Sequence, residues 1–276
     1  MRIFGANHIT YLYVSGIATT KVIKLSNSVE LLPARAECST DLFLGLGKTD
    51  VDISVISLFL PQVASQLRIE GSDVEDTARC AWDAIWDAIL LGAITSCDVM
   101  CNLQSDLPAE LLKSDSNIQI TNYHLRGHSM QPLHHISNLE SEWIEEHFES
   151  ARELLGEERY RSAIHCLATY RWHSMPRAQL AIIWSGIEGL FNVDSEVVFR
   201  ISLYAARFLA PDDLSQQKEV FLKVKNLYKL RSKAVHGGVM KGDPQAGVLE
   251  SANLLRTIIS KCAVDGRLPD PEDLFT

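Results

Sequence analysis

The sequence predicts an α+β protein in two parts: a small mixed α+β domain over residues 1–136 and an all-helical bundle over residues 137–276. In the first part, short β-rich runs alternate with Gly, Ser, Asn and Asp. From residue 139 onward, apolar side chains recur at helical spacing, and Pro and Gly separate the segments. A hydrophobic fraction of 46% and a charged fraction of 22% are typical of globular proteins and exclude disordered or fibrous classes.

The first part combines strands with one long helix. Residues 9–14, 22–25 and 55–60 predict strands, because they are rich in β-branched and aromatic side chains. Residues 72–104 predict a helix, with acidic residues in its first turn. A further strand is expected over residues 118–123. This part shows no catalytic motif; if the second part carries the activity, we expect the first part to sense, regulate or recruit.

The second part predicts five or six helices with short connectors, which together form a bundle. Helix boundaries are marked by residues that begin or end helices. These are Gly156, Pro176, Pro211, Ser215, the pair Gly237-Gly238, the pair Asp243-Pro244, and Gly266.

The charge distribution indicates a local anionic ligand. The chain carries 26 basic and 35 acidic residues, a net charge of −9, which argues against nonspecific coating of nucleic acid. Within residues 218–233, however, six basic side chains accompany the single acid Glu219.

The longest apolar run, residues 88–94, is too short to span a membrane, and the N-terminus lacks a signal-peptide pattern. We expect a cytoplasmic protein with no membrane partner.

No cofactor or metal is expected from the sequence. The six cysteines include no CxxC pair and predict reduced thiols. The histidine cluster comprises His124, His128, His134 and His135. No carboxylate falls within residues 116–139 to complete a metal set there.

Arg231 and His236, with four residues between them, lie near the predicted end of the helix that precedes Gly237-Gly238. Upstream, the segment 184–191 contains Trp184 and Glu188, and Arg200 and Arg207 follow. In these features residues 139–264 resemble the HEPN domain family, and most closely its Apea-like branch. The Arg–His spacing also occurs at Arg2–His8 and Arg159–His165, so helix position and upstream context distinguish the third pair.

The resemblance implies a metal-independent endoribonuclease with a composite active site in a homodimer, and a toxin or antiphage-defence role. Arg231 and His236 are the expected catalytic residues. An imidazole transfers protons near neutral pH, and a guanidinium matches phosphate oxygens. Ser232 stands where ribonuclease members often have Asn, Asp or His. We expect support from Ser232, Glu188 and Tyr228. RNA contacts are expected from Lys223, Lys225, Lys229 and Lys233.

Two alternatives remain open from the sequence. The bundle could be a non-catalytic HEPN module for dimerisation or RNA binding, or the chain could be a regulatory adaptor of a neighbouring defence enzyme. His236 could also be only a cation at a helix C-terminus. Glu188 could be a solvated residue or a partner that fixes Arg231.

Overall fold

The computed structural model describes residues 8–122, 132–193, 195–240 and 242–275. The chain divides into two compact units, Met1–Glu149 and Ser150–Thr276. The predicted α+β class is confirmed, with a sheet in the first unit and helices in the second. The domain boundary proposed between residues 136 and 137 stays a prediction. None of the described helices is long and apolar enough to cross a membrane.

The first unit is built on an antiparallel sheet that, in the described residues, has six strands in the order β3-β4-β5-β1-β6-β7. A separate parallel pair joins β2 to β8. The strands are β1 Ile9–Ser15, β2 Ile17–Ala18, β3 Ile23–Lys24, β4 Val29–Pro33, β5 Val63–Glu70, β6 Met100–Ser105, β7 Ile118–Ile120 and β8 His134–His135.

Helices α1 (Thr40–Leu46), α2 (Asp50–Phe59) and α3 (Val74–Thr95) complete this unit, and α4 (Asn138–Glu153) spans the division between the units. Buried side chains of α1 and α2 form one core with residues of the sheet, among them Tyr13 of β1. Helix α3 packs against β1, β5 and β6.

Two sequence predictions for this unit are wrong. Residues 55–60 are helical because α2 is started by a capping box, in which Thr49 and Asp52 satisfy each other's backbone N–H groups. The predicted helix over residues 72–104 ends at Thr95, where Ser96 turns into the left-handed region at φ 61°. Met100–Ser105 instead forms β6 beside β1, since pairing with a neighbouring strand outweighs local propensity.

The second unit consists of helices in its described residues. They are α5 Glu158–Thr169, α6 Pro176–Phe191, α7 Val197–Leu209, α8 Leu214–Val235, α9 Pro244–Asp265 and α10 Pro271–Phe275. Helix α6 contacts α5, α8 and α9, and its Trp184 is fully buried. The Trp184 indole N–H donates to Ser251 Oγ at 3.2 Å, and its ring meets Tyr228 edge to face. Trp184 is therefore a core residue of the bundle.

Candidate functional site

Helix α8 carries most of the predicted site and has two different faces. It begins at Asp213, whose carboxylate accepts hydrogen bonds from the N–H groups of Ser215 and Gln216. Its inner face is buried in the bundle through Val224, Leu227, Tyr228 and Ala234. Because successive residues turn by about 100°, the side chains opposite this apolar face point away from the core.

Arg231 is directed to the inner side of α8, where it pairs with Glu188 of α6. Its Nη2 group donates to Glu188 Oε2 at 3.1 Å and lies 2.9 Å from Oε1, so both contacts use one nitrogen. The side chains are 19% and 26% exposed, respectively. Arg231 Nε is buried and has no hydrogen-bond partner among the described residues. The pairing supports the interpretation of Glu188 as a partner that fixes Arg231.

The surroundings of this pair are aromatic. The Arg231 guanidinium carbon lies 5.4 Å from the centre of the Tyr228 ring, which in turn packs on Trp184. Burial raises the pKa of the Glu188 carboxyl above its usual value, and the Arg231 charge opposes that rise. Burial and the nearby Glu188 carboxylate also raise the pKa of Tyr228. Desolvation therefore outweighs charge attraction at Glu188.

His236 lies at the exposed C-terminal end of α8. Its backbone N–H donates to the Ser232 carbonyl at 3.0 Å, and its side chain is exposed. Gly237 follows at φ 76°, a left-handed conformation that glycine adopts without steric cost. Arg231 and His236 are five positions apart, which is about 140° around a helix. The structure accordingly places them on different sides of α8.

Sequence reasoning missed Arg177, which holds the end of α8 in place. This residue of α6 donates from Nη1 to the carbonyls of Lys233 and Ala234 at 2.9 and 3.0 Å. Its Nη2 donates to the Gly238 carbonyl at 2.6 Å. Helix C-termini leave carbonyls without intrahelical partners, and a guanidinium satisfies several of them together. The contact joins residues far apart in sequence, so no local pattern could have revealed it.

Most of the predicted RNA-binding lysines share the outer face of α8 with His236. Lys218, Lys225, Lys229 and His236 are separated by seven, four and seven residues, which keeps them within about 40° of one line. Lys233 lies next to this line. We call Lys218, Lys225, Lys229, Lys233 and His236 the outer face. Among the described residues, none of these four lysines forms an ion pair with a carboxylate.

Lys223 is the exception among the predicted RNA contacts. It is exposed, but two positions before Lys225 it points about 160° away from that residue. Ser232, one of the predicted supporting residues, is half-buried on the outer side of α8 and accepts the His236 N–H through its carbonyl. Helical spacing therefore aligns Lys225, Lys229 and His236 along one face of α8 and places Lys223 on another.

Within the residues that the structure describes, no group of three or more His, Cys, Asp or Glu side chains could hold a metal ion. His134 Nε2 lies 3.0 Å from Glu140 Oε1. Its neighbour His135 belongs to the same short strand, β8. The predicted histidine cluster also includes His124 and His128, which lie outside the described residues.

Comparisons of the chain with protein-family models, with curated proteins and with solved structures give no match. The HEPN resemblance therefore rests on the residues named above, and the geometry of α8 is the basis for proposing a function.

Proposed function

We propose that this protein binds RNA along the outer face of α8 and cleaves it as a HEPN-type endoribonuclease. The observation that carries the proposal is the line of outer-face lysines, which form no ion pair with the acidic side chains that the structure describes and which lead to an exposed histidine. Lysines on one helix face attract phosphates, and the affinity of such sites comes largely from released counterions. An imidazole beside bound RNA has the proton affinity that strand cleavage near neutral pH needs.

The proposed reaction is an internal transfer within RNA. The 2′-hydroxyl loses its proton to a base and attacks the neighbouring phosphorus. The P–O5′ bond breaks, and the leaving 5′-oxygen takes a proton from an acid, which gives a 2′,3′-cyclic phosphate and a 5′-hydroxyl. His236 carries the exposed imidazole at the end of the outer face, so we assign proton transfer to it. The reaction written here requires no metal.

A second copy of the chain would complete the proposed site. One α8 brings one imidazole to the end of its outer face, whereas the reaction uses both a base and an acid. Two bundles in a homodimer would supply two His236 side chains to one scissile phosphate. Such a composite site is what the HEPN resemblance implies.

Arg231 has two proposed roles that differ in what the guanidinium contacts. As a phosphate clamp, it would have to leave Glu188 when RNA binds. As a positioning residue, it anchors α8 on α6 through Glu188 and acts on His236 through the helix. The contacts to Glu188 at 2.9 and 3.1 Å favour positioning in the RNA-free chain. The clamp stays a prediction.

A non-catalytic RNA-binding module is the second candidate function. It is favoured by the engagement of Arg231 with Glu188 and by Ser232 at a position where ribonuclease members often have Asn, Asp or His.

If the protein is a ribonuclease, we infer that it has a toxin or antiphage-defence role in the cytoplasm. The first unit would then sense a trigger or recruit a regulatory partner. A regulatory adaptor acting through that unit would leave RNA intact.

The test is cleavage of single-stranded RNA by the full chain in the presence of a chelator. We expect fragments that end in 2′,3′-cyclic phosphates. His236→Ala should cut about 10²–10⁴ times more slowly while binding the RNA normally, because it loses only proton transfer. His173→Ala, which changes another exposed histidine, serves as the matched control and should cut at the parental rate. Equal cutting by His236→Ala would contradict the catalytic assignment, and intact RNA with retained binding would favour the second candidate.

A further inference from the structure

An exposed aromatic ring, Phe199, and a half-buried one, Phe221, lie together beside the N-terminal half of α8. Phe199 of α7 is 54% exposed. Its ring lies 6.0 Å from that of Phe221, centre to centre, at an angle of 72°. Leu222, which follows Phe221, is 50% exposed. Large apolar side chains that stay this accessible next to one another indicate a binding surface.

A lysine lies against this pair on the same side of the helix. Lys225 Nζ lies 5.8 Å from the centre of the Phe221 ring. Phe221 lies three residues after Lys218 and four before Lys225, so it belongs to the edge of the outer face. We call Phe199, Phe221 and Lys225 the aromatic platform. It offers flat apolar surface and positive charge together.

The charge of this surface decides which partner fits it. In a two-fold interface between identical copies, the same patch meets itself, so the lysines of one copy would approach those of the other. Like charges brought together in this way oppose association. Among the described residues close in sequence to Phe199 and Phe221, the carboxylates are Glu219 on α8 and Glu196, whose Oε2 lies 3.6 Å from Arg200 Nε. The surface is therefore better matched to an anionic partner than to a second copy of itself.

We propose that the aromatic platform stacks against unpaired bases of RNA whose phosphates lie on the outer face. Every base has an aromatic face, and stacking on exposed rings beside basic side chains is how proteins hold single strands without reading their sequence. In a duplex the base faces are covered by neighbouring bases, so the platform favours unpaired strands. This inference rests on the proposed function, because it needs RNA on α8.

The platform lies far along α8 from the proposed cleavage site. Phe221 and His236 are 15 residues apart, about 22 Å along a helix at ~1.5 Å per residue. A strand that reaches both sites has several nucleotides between the stacked base and the scissile phosphate. The platform thus fixes the path of the strand at a distance from the bond that breaks.

Binding to two matched strands tests the platform. The first is a 2′-O-methyl single-stranded RNA, which lacks the free 2′-hydroxyl and is not cut. The second is an abasic strand of equal length, with the same phosphates and no bases. The parent should bind the first strand at least ~5-fold more tightly, the lower end of what one stacked base contributes. Phe199→Ala should remove most of this preference and leave the salt dependence unchanged. Trp172→Ala changes an aromatic residue of equal exposure elsewhere in the bundle and should bind like the parent.

The outcomes distinguish failure of the platform from failure of the proposed RNA binding on which it rests. Equal binding of both strands by the parent, with Lys225→Ala weakening both, would overturn the platform and leave RNA binding on α8 intact. Failure of the parent to bind either strand at low salt would overturn RNA binding and the platform together. A dimeric parent that becomes monomeric on Phe199→Ala in sedimentation would show that the patch is covered by a second copy, which also overturns the platform.

Discussion

The charged side chains on the two sides of α8 differ in their contacts. On the inner side, Arg231 has a carboxylate, a tyrosine ring and the packed core of the bundle around it. On the outer side, Lys225, Lys229 and His236 lie in line, and the lysines form no ion pair among the described residues. A cation that is already paired stabilises the helix where it lies. A row of unpaired cations remains available to a polyanion.

This difference indicates that one helix combines an anchor with a ligand-binding surface. The anchor holds α8 on α6 at two points, through Arg231 to Glu188 and through Arg177 to the carbonyls at the helix end. Because those contacts fix the axis and the end of α8, they also fix where His236 stands. Variants on the inner side should therefore change stability first, and variants on the outer side should change RNA affinity first.

The largest effect on stability is expected from breaking the inner pair. Arg231→Met leaves the Glu188 carboxylate half-buried without its partner, which should lower the free energy of unfolding by about 1–3 kcal/mol. Adding Glu188→Leu should restore most of the loss, since an apolar pair of similar volume replaces a buried ion pair at little cost. Thermal unfolding of the parent and the two variants measures both steps. A double variant that is less stable than Arg231→Met would contradict the anchoring role of the pair formed by Arg231 and Glu188.

Arg231→Lys is the control that separates anchoring from clamping. Lysine keeps the charge and one donor for Glu188 but loses the planar fork that suits phosphate. Unchanged stability with slow cleavage and a native salt dependence of binding would show that the fork acts on RNA. Unchanged stability with parental cleavage would show that Arg231 only positions α8.

A smaller loss is expected at the end of the helix. Arg177→Ala removes three hydrogen bonds to carbonyls of residues 233–238, so we expect about 1–2 kcal/mol of destabilisation. For a protein of this size, that lowers Tm by about 2–4 °C per kcal/mol. RNA cleavage should fall as well, because the end of α8 frays and His236 loses its fixed position. Stability equal to the parent, measured by thermal unfolding, would show that these bonds do not hold the helix end.

The two faces can also be compared with a pair of lysine variants. Lys225→Ala removes a phosphate contact on the outer face. It should flatten the plot of log affinity against log salt by about 0.7, the contribution of one contact to a single strand. Lys223→Ala removes the same charge about 160° away around the helix and should leave the slope unchanged. Fluorescence anisotropy at several salt concentrations gives both slopes, and equal changes would show that binding follows net charge rather than the face.

The smallest effect concerns pH. Burial raises the folded-state pKa of Glu188 above its usual 4.5, so the folded chain binds more protons than the unfolded chain in the range just above that value. The free energy of unfolding therefore falls as pH rises through this range. Glu188→Gln does not titrate, so its stability relative to the parent should improve as pH rises, by less than about 1 kcal/mol at this partly exposed site. A difference in stability between Glu188→Gln and the parent that does not change with pH would contradict the raised pKa of Glu188.

The sequence was most informative where local chemistry fixes the structure. Pro176 and the Asp243-Pro244 pair mark the starts of α6 and α9, because proline fits the first helical turn. Residues 96–104 were assigned wrongly, because whether Met100–Ser105 is helix or strand depends on β1, which is distant in sequence. The site shows the same division. Helical spacing aligns Lys225, Lys229 and His236, whereas the contact of Arg177 with the end of α8 arises only in the folded bundle.

Lysine reactivity in the presence and absence of RNA tests the outer face most directly. The full chain is acetylated with and without bound 2′-O-methyl single-stranded RNA, and mass spectrometry reports the modification of each lysine. We predict that RNA protects Lys218, Lys225, Lys229 and Lys233 and leaves Lys223, on the other side of the same helix, as reactive as before. Equal protection of Lys223 and Lys225, or no protection along α8 while RNA is bound, would contradict the account.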